Sequence, residues 1–151
     1  MSIRLSADEA WDALRTAHTG ILTTLRRDGM PITLPTWFVA MDRTICFRAT
    51  SRTKKVTRLR HDPRVSFLIE SGERWAELRA VHLTGRAELV IDPDEAARIG
   101  DAIDDKYAAF RTASAAMPDA TRAHYASRMT YRIVPDERLL TWDNARLDLA
   151  E

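Results

Sequence analysis

The chain has 151 residues, 45% of them hydrophobic, with only 5 Gly and 6 Pro, which fits one folded domain over 1–151 and excludes a disordered or fibrous chain. Its 23 Lys and Arg against 22 Asp and Glu leave a formal charge of +1, so any action on a polyanion needs charge gathered on one face. The single cysteine, Cys46, rules out an internal disulfide; with no apolar run near 18 residues and no secretory leader in MSIRLSADEAWDALR, a cytoplasmic protein that spans no membrane is expected.

Ser6-Ala7-Asp8-Glu9 reads as a capping box, and Ala10, Leu14 and Ala17 recur behind it at helical spacing, which predicts a helix over about 6–17. From Ile21 the period changes to that of a strand, and Asp28-Gly29 marks a hairpin. The answering run, MPITLPTWFVA, reads as one strand, but Pro31 and Pro35 cannot donate to a ladder. It belongs at a sheet edge or carries a bulge near Pro35. Met41-Asp42-Arg43 turns the chain into a third strand, TICFRAT.

Val56 and Leu59, three apart and closed by Pro63, predict a short helix over about 53–61. RVSFLIE follows as a strand apolar on both faces, hence central. The run from Trp75 to Ile91 reads as a long strand bent at Gly85. Pro93, Asp94 and Glu95 open a further helix with Ala96, Ile99, Ile103 and Phe110 as its buried stripe. Met117-Pro118 breaks it, a short helix occupies 119–128, and two strands at 129–134 and 138–142 close the chain. The elements add up to a mostly β protein: a small barrel of six or seven antiparallel strands with peripheral helices and a helical insertion over about 93–128.

Familiar catalytic machinery is absent: there is no G-x-S-x-G elbow, no phosphate loop and no G-x-G-x-x-G fingerprint. The four histidines, His18, His61, His82 and His124, are too scattered to predict a metal site, and Cys46, between Ile45 and Phe47, reads as a buried apolar residue. Charge sorting stands out instead. Between Arg48 and Arg64 lie Arg52, Lys54, Lys55, Arg58 and Arg60, with Asp62 as the only acid and hydroxyls at Thr50, Ser51 and Thr53. Such a block at a helix start is a ready anion pocket, for example for a cofactor phosphate. It reads equally as a solvated charged loop. A nucleic-acid surface is the third reading, weakened by the shortness of the block and the lack of stacking aromatics. In Leu34-Pro35-Thr36-Trp37-Phe38, the free backbone of an interrupted edge strand beside an aromatic side chain would suit a flat heteroaromatic ring. Phe38 there reads better as sheet filling.

In their order and spacing these segments resemble the split β-barrel flavin and deazaflavin oxidoreductases related to pyridoxamine 5'-phosphate oxidase. The resemblance runs through GILTTLRRDGMPITLPTWFV, TSRTKKVTRLRHDPRVSFLIE, LTGRAELV and YRIVPDERLLTWD, and its most specific piece is Thr53, Lys54, Lys55, Leu59 and Asp62-Pro63-Arg64-Val65. It implies an FMN-binding split β-barrel fold and a homodimer with cofactor sites at the interface. It also implies a cofactor phosphate held by Ser51, Arg52, Thr53, Lys54 and Lys55, a ring lined by Pro35, Thr36 and Trp37, and Trp142 as a wall residue for the partner's site.

The pyridoxamine phosphate oxidases proper carry a C-terminal Arg-x-His element and a glutamine before the Gly-x-Ala turn. Here the chain closes in NARLDLAE and has Arg79-Ala80 before Gly85-Arg86-Ala87. The resemblance is therefore to the shorter branch associated with coenzyme F420. The expected function is hydride transfer between F420 and a small organic acceptor, with FMN as the alternative cofactor and a binding protein without turnover as the alternative role. A cofactor-borne hydride needs no acid–base pair from the protein, and no catalytic side chain and no metal ligand is assigned.

Overall fold

In the computed structural model, which describes residues 2–148, Ser6 heads the first helix. Its Oγ accepts from the Glu9 amide at 3.2 Å and the Glu9 carboxylate accepts from the Ser6 amide at 2.7 Å, closing the capping box of α1 (Ala7–Thr16). The helix buries Ala10, Trp11 and Leu14.

β1 (Gly20–Leu25) and β2 (Pro31–Thr36) form the expected hairpin, with Gly29 at φ 84° in its tip. The run expected as one strand divides. β2 stops at Thr36, residues Trp37 and Phe38 cross over, and β3 (Val39–Met41) lies at the opposite edge of the sheet beside β4 (Thr44–Thr50). Pro35 stays in the ladder opposite Ile21, so β2 is the expected edge strand without a bulge; among the described residues seven strands follow one another across the sheet and a short eighth pairs beside them. Asp42 and Arg43, at φ 51° and 55°, form the two-residue loop between β3 and β4.

α2 (Lys54–His61) buries Val56 and Leu59, exposes Lys54 and Arg60, and half-buries Lys55 and Arg58, the latter donating from Nε to the Thr24 hydroxyl at 2.6 Å. β5 (Arg64–Ser71) is central, between β1 and β6 (Arg79–Leu89). Residues Trp75–Glu77, expected to extend that strand, form a 3-10 turn instead. α3 (Pro93–Tyr107) and the short α4 (Asp119–Ala126) make up the helical insertion, before β7 (Arg128–Pro135) and β8 (Leu140–Asp143). Phe110, expected in the buried stripe, is 62% exposed: α3 ends at Tyr107 and a 3-10 turn carries Phe110 off that face.

All pairings are antiparallel, in the order β2-β1-β5-β6-β7-β4-β3, and β8 also pairs β6. Along the edge away from β5, β6 takes β8 at Arg79–His82 and β7 at Gly85–Leu89, so the sheet forks there. Residues alternate between the two faces. Ile45, Phe47 and Ala49 of β4 join Leu22, Phe67, Leu83 and Ile133 in the interior, which α1 and α2 plug with Trp11, Leu14, Val56 and Leu59. The other face of β4 carries Cys46 into a smaller cluster with Val39, Ile99, Ile103 and Tyr107 under α3. Among the described residues no helix is long and apolar enough to cross a membrane.

Candidate functional site

Outward-facing Arg48 and Thr50 of β4 open onto a cavity of about 390 Å³, within the range of small-ligand pockets. Thr36 of β2 and Trp37 of the crossover form one wall, Ile103 of α3 the floor, and Phe110, Arg111, Thr112, Met117 and Tyr125 of the insertion the far side, with Arg128 closing it. Three guanidinium groups therefore face one space. Asp104 pairs with Arg48 and, at 2.8 Å, with Arg111. Arg128 donates from Nε to the Tyr125 carbonyl at 3.0 Å. The Nε of Arg111 is buried and has no hydrogen-bond partner among the described residues. Burial, with Arg48 and Arg111 close by, pushes the Arg128 guanidinium down from its ordinary pKa. Burial alone would raise the Asp104 carboxyl, but the Arg48 hydrogen bond and the surrounding arginine charges hold it below its usual value. Three cations against one carboxylate leave the cavity positive.

Trp37 is 36% exposed and stacks on Tyr107 with centroids 4.3 Å apart and planes 4° apart; the Arg111 guanidinium lies 5.9 Å from the indole centroid. Thr36 is buried, and Pro35, exposed and opposite Ile21, stays outside the cavity.

The basic block sits at the other end of β4, next to Thr50. Ser51 is tied to Ser127, hydroxyl to hydroxyl at 2.7 Å and amide to carbonyl at 3.0 Å. Thr53 occupies the cap position of α2 but turns its hydroxyl back to the Thr50 carbonyl at 2.9 Å, so no side chain caps the helix, and no acid lies in its first turn. Arg52 and Lys54 are exposed. Lys55 is half-buried with Nζ 5.9 Å from the Phe47 ring centroid, and burial, then Arg58, pushes its pKa down. The uncapped amides and these cations together make a positively charged corner adjoining the cavity. Trp142, half-buried opposite Ala80, is remote from both within one chain. The Cys46 thiol is wholly buried, and that burial pushes its pKa up, as an inert core residue requires.

The sequence matches the family model of pyridoxamine 5'-phosphate oxidase over residues 6–139. The chain belongs to this family. No curated protein matches it. Among solved structures it is similar to a conserved hypothetical protein of Mycobacterium tuberculosis, at 31% identity and a TM-score of 0.83, covering 99% of this chain and 92% of that one. It is also similar in fold to an FAD-binding protein of Mesorhizobium loti (22% identity, TM-score 0.70, covering 91% and 94%). An F420 reductase shares the fold as well (22% identity, TM-score 0.64, covering 85% and 94%). A split barrel of the pyridoxamine 5'-phosphate oxidase type is thus the architecture of this chain.

Within this family member, sequence reading singled out one half of the cavity region and missed the other. Arg111, Arg128, Asp104 and Tyr107 were not singled out as site residues, and Arg48 was noticed only as part of the basic run. Asp104 and Tyr107, three apart in α3, share a helix face that their spacing could have shown, whereas Arg111 lies beyond the end of α3 and no spacing marks it.

Proposed function

We propose that the protein is a cytoplasmic oxidoreductase that moves a hydride between coenzyme F420 and a small organic acceptor, working as a homodimer with its coenzyme sites at the subunit interface. The observation that carries this reading is one positively charged cavity, walled by the exposed Trp37 indole, adjoining the uncapped basic start of α2. The residues fit such a group: the buried Nε of Arg111, with no hydrogen-bond partner among the described residues, and the open amides of α2 both call for an anion, and Trp37 offers a flat apolar surface.

Bound deazaflavin supplies the hydride-carrying carbon. All other tasks are the protein's. Ser51, Arg52, Thr53, Lys54 and Lys55 hold the phosphate, Thr36 and Trp37 orient the ring while Pro35 stays outside the cavity, and the partner's C-terminal strand, with Trp142, completes the wall. Arg48, Arg111 and Arg128 carry two positive charges beyond what Asp104 neutralises, which suits an anionic group on the acceptor or coenzyme. Phe110 and Tyr125 exclude water.

Titration of the purified protein with F420 and with FMN tests the reading. F420 fluorescence is expected to quench on binding, and Lys55→Ala to weaken that binding about 10- to 150-fold, the value of one charge-assisted contact of about 1.5–3 kcal/mol. A yellow protein that takes only FMN exchanges the coenzyme and keeps the site. Unchanged affinity in Lys55→Ala removes the anchor, and a coenzyme whose redox state never changes with any reductant or acceptor removes the enzyme.

A further inference from the structure

The Trp37–Phe38 crossover has left one edge of the sheet and not yet joined the other, so its backbone lacks ladder partners. Two adjacent side chains at the end of α3 supply them. The Phe38 amide donates to the Tyr107 hydroxyl at 2.9 Å, and the Phe38 carbonyl accepts from Lys106 Nζ at 2.9 Å. The same groups reach the chain between α1 and β1. Lys106 Nζ donates to the Ala17 carbonyl at 2.7 Å, and the Tyr107 hydroxyl to that of His18 at 2.6 Å. Lys106 Nζ also lies 4.0 Å from the Phe38 ring centroid, and the fully buried Tyr107 ring is the surface on which Trp37 stacks.

We propose that Lys106 and Tyr107 are positioning residues: together they latch the crossover to the α1–β1 connection and fix the plane of the Trp37 indole. This rests on the reading of Trp37 as the wall of the coenzyme ring. The latch explains why an aromatic residue on an irregular two-residue link is held parallel to a neighbour within 4°. It also gives α3 a means of setting coenzyme affinity while Lys106 itself stays outside the cavity lining.

The test compares the parent with Tyr107→Phe, which keeps the stacking ring and removes the hydroxyl, and with Lys106→Met and Lys106→Arg. Two readouts are taken at a temperature where circular dichroism shows each variant folded. One is acrylamide quenching of Trp37, isolated by subtracting the spectrum of the same variant carrying Trp37→Phe. The other is affinity for whichever of F420 or FMN the parent binds. Quenching is expected to rise about twofold or more, and affinity to fall about tenfold, in Tyr107→Phe and Lys106→Met, with Lys106→Arg recovering part of both. A lower melting temperature with unchanged quenching and affinity reduces the pair to structural fastening and overturns the proposal. Increased quenching with unchanged affinity keeps the latch and removes Trp37 from the coenzyme site. A parent that binds neither coenzyme ends the functional reading while the quenching arm still decides the latch. Should Tyr107→Phe fail to fold, Lys106→Met supplies both readouts.

Discussion

Lys106 brings an ammonium into a partly desolvated place in which only carbonyl oxygens and ring faces surround it. Burial pushes its pKa down from 10.5 to about 8. An unfolded chain regains the ordinary value, so between about pH 8 and 10.5 the unfolded state binds more protons than the folded one. Stability from this residue therefore rises as pH climbs through that window, because the folded protein no longer has to keep the charge. The neutral amine still has two N–H groups for the Ala17 and Phe38 carbonyls. Urea unfolding at pH 7.5 and 9.5 is expected to show the parent gaining stability on Lys106→Met at the higher pH. An equal difference at both pH values would place the ammonium in solvent. No sequence pattern marked this lysine, because its partners are backbone carbonyls 68 and 89 positions away.

At the scale of elements, the fork in the sheet hangs on β6. Gly85 lies where β7 joins, and a Cβ there would come within 2.3 Å of the Val134 carbonyl oxygen and 2.9 Å of the Pro135 Cα. Both are backbone atoms of a paired strand, so neither can swing aside. Gly85→Ala is expected to destabilise the protein by about 1–3 kcal/mol, the usual cost of overpacking, read from the urea midpoint. A midpoint equal to the parent's would mean that the fork yields freely. This bend was legible because glycine inside a strand pattern has few other uses. The capping box of α1 and the amphipathic spacing of α2 were legible for the same reason: each is decided by neighbours a few residues apart. The division at Trp37–Phe38 was not, since residues 30–40 are strand-like throughout and only the distant edge position of β4 assigns β3 elsewhere. The exposure of Phe110 was hidden as well. It sits seven residues after the buried Ile103, which is good helical spacing, but α3 stops at Tyr107 before that spacing can apply.

For the molecule as a whole, the same contrast divides the candidate site. Residues Ser51–Lys55 are contiguous and so could be read as a unit, whereas Arg48, Arg111 and Arg128 come from β4, the insertion and β7 and meet only after the sheet has curled. The folded surface also bears on assembly. Leu34, Trp37, Phe110 and Tyr125 are 45%, 36%, 62% and 48% exposed, and the last three rim the cavity. Exposed aromatics around a cavity are what a protein interface covers. β2, an outer strand with Pro31 and Pro35, is ill-suited to pairing edge to edge with another strand, so a second copy would dock through side-chain faces. Light scattering at micromolar concentration is accordingly expected to give twice the chain mass of 17.2 kDa, little changed by salt because the contact is apolar. A monomer that binds coenzyme at full affinity would move the site off the interface and leave Trp142 without a role in it.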